Sequence, residues 1–173
     1  MLCLKKETAE VYYLGCLQKL LKRQDSEQLQ SLLMQSSRNR ARFCLHSRKE
    51  SDLHEMFEML SKDVYMRPHK QINKCTSYHI VSGMLKLYLF DDGGKIIDIF
   101  SLGDFHSGKP YYFRAPKNTY RTLVPESDFV LYHETTTGPF NKADTVFAPW
   151  SPIEDDVDGR KLFKSFVTNA LNF

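Results

Sequence analysis

The sequence lacks any apolar run near the roughly 18 residues that a membrane-spanning helix needs. Its first ten residues include two lysines but no apolar segment like that of a signal peptide. The four cysteines, Cys3, Cys16, Cys44 and Cys75, contain no C-x-x-C pair, so neither a zinc ribbon nor a disulfide framework is predicted. We therefore expect a cytoplasmic protein with reduced cysteines and no membrane partner.

Sequence signatures of common catalytic and nucleotide-binding sites are also missing. The chain contains no G-x-S-x-G elbow, no phosphate-binding glycine loop, no G-x-G-x-x-G and no H-E-x-x-H. Its basic and aromatic residues do not combine into an RNA-binding or zinc-finger pattern, so no nucleic-acid partner is expected. The 8 glycines and 7 prolines are too few for a collagen-like or low-complexity chain.

What is present is the composition of one globular domain. The 173 residues are 42% hydrophobic and 26% charged, and a chain of this length buries roughly 70% of its unfolded surface. An aromatic share of 13% favours a β-rich fold. The net charge of +3 is unevenly spread, because residues 1–50 hold ten Lys and Arg against five Asp and Glu. This basic excess fits either a solvated helical face or an anion-binding entrance.

The N-terminal part, residues 1–36, is predicted to be a helical arm. Asp25 followed by Gln28 resembles a capping box that opens the second of two helices. Two apolar stripes at helical spacing support this prediction: Val11, Leu14, Leu17 and Leu21 in the first helix, then Leu29, Leu32 and Leu33 in the second. We expect the arm to pack against the rest of the domain or against a partner chain.

The central part, residues 37–152, is predicted to form short strands. Leu85, Leu87 and Leu89 repeat with a period of two, and residues 91–94 supply a turn into a returning strand at 95–100. Further strands are predicted at residues 111–115, 120–124 and 129–135. Strands of this length and spacing indicate a β-sandwich or barrel. Residues 53–60 fit a helix and a strand equally well.

The C-terminal part, residues 153–173, is predicted to be a helix on the outside of the barrel. Its apolar positions repeat at helical spacing: Leu162, Phe163, Phe166, Val167, Ala170 and Leu171. Three carboxylates precede them, at the end of the helix where the dipole is positive: Asp155, Asp156 and Asp158.

Several ordered segments of the central part carry a family resemblance. They are SRNRAR at 37–42 with Leu45 and His46, YMRPH at 65–69, LFDDGG at 89–94, GPF at 138–140 and FAPWSP at 147–152. Together they resemble the WbuC-type cupins, which are often encoded among O-antigen or other surface-polysaccharide genes. The resemblance implies a mainly β fold, the cupin double-stranded β-helix or jelly-roll-like barrel, with N-terminal helices and a C-terminal helix. It also favours a strand at residues 53–60.

The cupin metal site is altered in this sequence. Cupins usually bind a divalent metal through two histidines and a glutamate of a first signature and a histidine of a second, and the resemblance therefore implies Fe, Ni, Mn or Zn. The matching positions here hold His69, Gln71, Thr76 and Arg121. A single imidazole with an amide carbonyl binds such a metal weakly, and a guanidinium cannot be deprotonated. We expect no metal, or one held by His69 and Gln71 if any, and no other cofactor.

The same replacement predicts an anion-binding cavity. Arg121 at a ligand position favours a phosphate, a carboxylate or a uronic-type sugar. Arg38, Arg40 and Arg42 alternate, so an extended chain places all three on one face, either in solvent or along an anion site. The predicted ligand-binding residues are Arg40, Arg67, His69, Gln71, Lys74 and Arg121.

Two functions stay open at this point. The first is a WbuC-like cupin that binds an anionic sugar or nucleotide-sugar-type ligand, with an accessory role in surface-polysaccharide (O-antigen) biosynthesis. The second is a sugar-modifying enzyme of isomerase or epimerase type, with His69 as the candidate base and Tyr78 or Tyr120 as the candidate acid. A metal-dependent cupin that uses His69 is a further alternative. The expected partners are a small anionic molecule or sugar, and a second copy of the chain paired through sheet edges.

Overall fold

The structure is a computed structural model that describes residues 2–16 and 19–170. These residues form twelve strands and two α-helices, which confirms the predicted mainly β class. The strands are β1 (Leu4–Lys6), β2 (Val11–Leu14), β3 (Arg40–Cys44), β4 (Leu53–Ser61), β5 (His69–Gln71), β6 (Thr76–Ser82), β7 (Met84–Phe90), β8 (Ile96–Gly103), β9 (Tyr112–Ala115), β10 (Tyr120–Pro125), β11 (Phe129–Thr137) and β12 (Thr145–Phe147). The helices are α1 (Arg23–Met34) and α2 (Val157–Asn169). Neither of these helices has the length and apolarity that a bilayer crossing requires.

The strands form two sheets that enclose one interior, as in a jelly roll. The larger sheet has seven strands in the order β1-β2-β3-β4-β11-β6-β9, and the smaller has five in the order β12-β5-β10-β7-β8. Strands that are distant in sequence lie side by side, for example β4 with β11 and β5 with β10. All described pairings are antiparallel except that of β2 with β3.

One half of the barrel interior is an apolar core. Side chains alternate between the two faces of each strand, so Leu60 of β4, Leu123 of β10 and Val130 of β11 all point inward. Each is nearly inaccessible to solvent. Burial of one such side chain contributes roughly 1.5–3 kcal/mol, so this cluster stabilises the joint between the sheets.

The two helices cover the outer faces of the two sheets. Leu29 and Leu33 of α1 pack on the seven-stranded sheet, against outward residues of β3, β4 and β11. Val167 of α2 packs on the five-stranded sheet in a cluster that contains Tyr88 and Phe90, with Phe163 beside it. The predicted position of the C-terminal helix is therefore confirmed, although Leu171 lies outside the described residues.

The prediction of a first N-terminal helix is wrong. Val11–Leu14 forms β2, which pairs in parallel with β3 and, together with β1, extends the seven-stranded sheet. The run Val-Tyr-Tyr has β-branched and aromatic side chains that favour a strand, and Gly15 disfavours a helix directly after it. Leu17, the third member of the predicted stripe, lies outside the described residues. Residues 1–36 are thus not simply a helical arm.

The second predicted helix is correct, but the role of Asp25 in it differs from the prediction. The helix begins at Arg23, three residues earlier than a cap at Asp25 would place it. The Asp25 carboxylate instead accepts a hydrogen bond from the backbone N–H of Lys22 at 2.7 Å. This places a negative charge in the first turn, where the helix dipole stabilises it.

The strand predictions for the central part are confirmed. Strands β7 and β8 form the expected hairpin around the turn at residues 91–94, and residues 53–60 fall within β4. Gly94 has φ +90° and lies directly against Trp150. Trp150 packs on Phe90 and Phe163 and donates its indole N–H to the Asp92 carbonyl at 3.1 Å. It fixes the chain to the outside of the barrel after β12.

Candidate ligand-binding cavity

The other half of the barrel interior is polar and contains a cavity of about 260 Å³. A step of two residues along a strand passes from the apolar core to this cavity. On β11, this step leads from Val130 in the core to Tyr132 at the cavity, and on β10 it leads from Leu123 to Arg121. Both sheets therefore contribute polar side chains to one enclosed space.

Arg121 lines this cavity, with only 1% of its surface exposed. Its Nε donates to the Tyr78 hydroxyl at 2.9 Å and its Nη2 donates to the Thr76 hydroxyl at 3.0 Å. Both partners belong to β6 of the opposite sheet, so the arginine spans the interior. Its Nη1 is buried without a hydrogen-bond partner among the described residues. Because both partners are neutral, its positive charge is not offset by a direct ion pair.

Arg67 is a second cavity cation with neutral partners. Its Nε donates to the Ser151 hydroxyl at 3.1 Å and its Nη2 donates to the Ala148 carbonyl at 3.3 Å. The guanidinium carbon lies 5.0 Å from the centre of the Phe147 ring. Phe147 is about half exposed and lines the rim of the cavity. Arg67 therefore adds positive charge near the opening.

The remaining cations of the cavity are paired with carboxylates. The pairs are Arg38 with Glu154 at 2.9 Å, Arg40 with Glu10 at 2.9 Å, Arg42 with Glu58 at 3.3 Å and Lys74 with Asp144 at 3.2 Å. None of the ion pairs found in residues 2–16 and 19–170 includes Arg67 or Arg121. The uncompensated positive charge of the cavity is thus concentrated on those two side chains.

Besides Glu154, two carboxyl groups line the cavity, those of Glu58 and Glu134, and neither was predicted from the sequence. Burial, with the negative charge of Glu58 adding to it, raises the pKa of Glu134 to about 7. Glu58 accepts from Arg42 through Oε1, while its Oε2 is buried without a partner in the described part of the chain. Glu58 could have been identified from the alternation of β4, because it lies two residues from Met56 and from Leu60 and therefore shares their inward face.

His69 lies directly opposite Arg121 in the pairing of β5 with β10. Burial, together with the positive charge of Arg121, lowers the pKa of His69 to about 4. The imidazole is therefore neutral at pH 7. Its Nδ1 lies 3.0 Å from the Arg67 carbonyl, which can only accept, so Nδ1 is the protonated nitrogen and Nε2 is left as an acceptor.

The structure brings together all six predicted ligand-binding residues. Arg40, Arg67, His69, Gln71, Lys74 and Arg121 line the same cavity. Tyr78, a candidate acid, also lines it. Tyr120, the other candidate acid, does not. Since neighbouring residues of a strand point to opposite faces, Tyr120 points away from the cavity, where it contacts Trp150 and the ammonium group of Lys70.

The residues at the cupin metal positions do not form a suitable donor set. His69 offers one imidazole nitrogen, and the side-chain amide of Gln71 is hydrogen-bonded to Thr145 at 2.9 Å. Arg121 brings a permanent cation to the place of the fourth ligand and hydrogen-bonds Thr76, the residue at the third position. No three His, Cys, Asp or Glu side chains in the described ranges are grouped to hold a metal ion. This donor set does not fit a divalent metal, and the absence of a cofactor stays a prediction.

Several solved structures are similar to this chain. A crystal structure of CapF with the inhibitor 3-isopropenyl-tropolone is 10% identical over 65% of this chain and 32% of that chain, with a TM-score of 0.52. Protein SO0799 from Shewanella oneidensis is 17% identical over 60% of this chain and 66% of that chain, with a TM-score of 0.48. The cupin domain of Schizosaccharomyces pombe Cnp3 is 14% identical over 57% of this chain and 64% of that chain, with a TM-score of 0.45. The chain spans less than two thirds of each of these chains.

The two-sheet barrel of this chain is jelly-roll-like, and one of the similar structures is described as a cupin domain. Residues 21–102, which extend from just before α1 into β8, match a family model described as a domain of unknown function (DUF6016). No curated protein matches the chain. At these identities the similarity concerns the fold alone, so the finer resemblance to WbuC-type cupins stays a prediction.

Proposed function

We propose that this cupin-fold protein binds a small organic anion inside the barrel, with Arg121 as the central contact. The observation that carries the proposal is the Arg121 guanidinium, which is buried, bonded only to neutral hydroxyls and left with Nη1 unpartnered in the described part of the chain. A buried cation without a counter-ion is unfavourable by itself. A ligand carboxylate or phosphate oxygen would provide both the missing acceptor and the missing charge.

The size of the cavity limits the ligand. Pockets for drug-sized molecules enclose about 300–1,000 Å³, and this cavity of about 260 Å³ lies just below that range. It therefore suits a sugar acid or another small acid, and a nucleotide sugar would have to extend beyond the rim at Phe147. A role in surface-polysaccharide biosynthesis is the setting that the WbuC resemblance suggests for such a ligand.

A second candidate function is catalysis on the bound acid, and Glu134 favours it. A carboxyl group with a pKa of about 7 can both accept and donate a proton near neutral pH. His69 is a weaker candidate base than the sequence predicted, because its pKa of about 4 leaves little affinity for a proton. Burial raises the pKa of Tyr78 to about 12, which also makes that hydroxyl a poor acid. An isomerase or epimerase of this type would use Glu134.

Isothermal titration with glucuronate tests the proposed binding. We expect saturable binding to the wild-type protein and a loss of at least tenfold in affinity for Arg121→Met, with Arg114→Met as the control because Arg114 is exposed outside the cavity. Equal affinities for the two variants would contradict the proposal. Proton NMR in D₂O distinguishes the second candidate, because an enzyme would exchange the proton next to the carboxylate and lose that exchange in Glu134→Gln.

A further inference from the structure

We propose that the bound anion is a polyhydroxy monocarboxylic acid, and that Glu58 selects it. This inference rests on the proposed function and deepens it. The carboxylate of the ligand would bind Arg121, and one of its hydroxyl groups would donate to the Oε2 atom of Glu58. Arg121 thus recognises the charge, whereas Glu58 recognises a neutral hydrogen-bond donor on the same molecule.

The unpartnered polar atoms of the cavity support this ligand class. Arg121 Nη1 is a donor, Glu58 Oε2 is an acceptor and the Tyr132 hydroxyl can act as either. All three side chains line one cavity, and each is at most 1% exposed. None of the three atoms has a hydrogen-bond partner among the described residues. A ligand that satisfies all three atoms must carry both an anionic acceptor and a hydroxyl group.

The sheet register places these groups at a spacing that a small molecule can bridge. Glu58 of β4 lies opposite Arg42 on one side and Tyr132 on the other. One inward position further along β11 is Glu134, which lies opposite Tyr78, the hydrogen-bond partner of Arg121. Inward positions two residues apart on a strand are separated by about 7 Å. A chain or ring of a few carbon atoms spans that distance.

The carboxylates also exclude other anions. Arg42 pairs with Glu58 through Oε1 and leaves Oε2 without a partner in the described part of the chain. A second carboxylate or a phosphate on the ligand would face this negative oxygen and be repelled. A fatty acid of the same length would leave Oε2 without a donor. The site should therefore reject dicarboxylates for their charge and alkanoates for their missing hydroxyl groups.

Four six-carbon probes test this specificity on the wild-type protein: gluconate, hexanoate, glucitol and glucarate. In isothermal titration we expect gluconate to bind at least tenfold more tightly than each of the other three. Glu58→Gln keeps the shape of the side chain but removes its charge. In this variant the ratio of gluconate affinity to glucarate affinity should fall at least threefold. The affinities of the wild-type protein for the four probes test the proposed specificity even if that variant does not fold.

The outcomes separate this inference from the function on which it rests. Binding of hexanoate or glucarate within threefold of gluconate, lost in Arg121→Met, would overturn the proposed specificity and leave anion binding intact. Binding of glucitol as tight as that of gluconate would overturn both, because no anion would then be required. An absence of saturable binding for all four probes, with glucuronate also failing, would likewise overturn both.

Discussion

The Nε atom of Arg121 donates to the Tyr78 hydroxyl across the interior of the barrel, over 2.9 Å, and so connects the two sheets. Tyr78 stays neutral at physiological pH because burial raises its pKa to about 12. The hydrogen bond therefore orients the guanidinium without neutralising it. A cation that is held in place and not offset is suited to receive a negative ligand.

Replacing Arg121 should weaken ligand binding without lowering the stability of the protein. Arg121→Met removes a buried charge that has only hydroxyl partners, and an apolar side chain of similar length often stabilises such a site. We expect the free energy of unfolding, measured in urea, to stay within about 1 kcal/mol of wild type or to rise. Glucuronate affinity should fall about 10- to 100-fold, which corresponds to ~1.5–3 kcal/mol for a charged hydrogen bond. A destabilised variant with unchanged affinity would contradict this account.

Replacing Glu134 should change how stability depends on pH. The pKa of Glu134 is raised from 4.5 to about 7, so between these values the folded protein holds a proton that the unfolded chain has lost. The contribution of Glu134 to the free energy of unfolding therefore decreases as pH rises from 4.5 to 7. Glu134→Gln lacks this decrease, and we expect it to gain about 2 kcal/mol relative to wild type between pH 4 and pH 8.

Urea unfolding at several pH values measures this difference. The opposite trend from His69, whose pKa is lowered to about 4, is present in both proteins and cancels in the comparison. Glu50→Gln serves as the control, because Glu50 is exposed and outside the cavity. A constant difference between wild type and Glu134→Gln at every pH would show that Glu134 ionises normally.

Anion binding should weaken as pH rises through 7. Glu134 loses its proton in this range and adds a negative charge to the cavity, whereas His69 stays neutral above its pKa of about 4. We expect the Kd of glucuronate to increase about three- to tenfold between pH 6 and pH 8. In Glu134→Gln the Kd should be nearly constant. Affinity that improves with pH would exclude Glu134 as the linked group.

The turn between β7 and β8 should tolerate alanine at one glycine and not at its neighbour. Gly94 has φ +90°, and an added Cβ would lie 2.8 Å from Trp150. Gly94→Ala should therefore destabilise the protein by about 1–3 kcal/mol and shift the tryptophan fluorescence. Gly93→Ala is the matched control, since its nearest contact would be the Asp91 side chain at 3.5 Å. Equal unfolding midpoints would refute the packing role of Trp150.

Strand alternation in the sequence predicted the strands of the barrel and the shared face of Arg40 and Arg42, whereas Arg67, Lys74 and Arg121 were predicted as ligand-binding residues through the family resemblance. Arg40 and Arg42 share one face of β3, and both line the cavity. The same rule, applied to Arg121, excludes its neighbour Tyr120 from the cavity. Glu58 was not identified as a site residue, because its role depends on the register of β4 with β11, and that pairing joins segments some 70 residues apart.

The N-terminal hairpin could not be predicted for a related reason. Val11 and Leu14 fit a helical stripe as well as a strand, and pairing with β3, whose residues lie 31 positions further along the chain, makes this segment a strand. A parallel edge pairing of this kind leaves no local pattern in the sequence. The Glu10 carboxylate, directly before β2, binds Arg40 at 2.9 Å, and Arg40 in turn lines the cavity.

The division of the interior into an apolar half and a polar half affects how readily this protein can be modified. Most of the apolar residues that pack the sheets and helices together lie in the apolar half and beneath α1 and α2, so exchanging the charged side chains of the polar half leaves most of that packing in place. The ligand specificity can thus be changed by a few substitutions in the cavity while the fold of the barrel is kept. The barrel is accordingly a starting point for engineered receptors and optical biosensors of small acids.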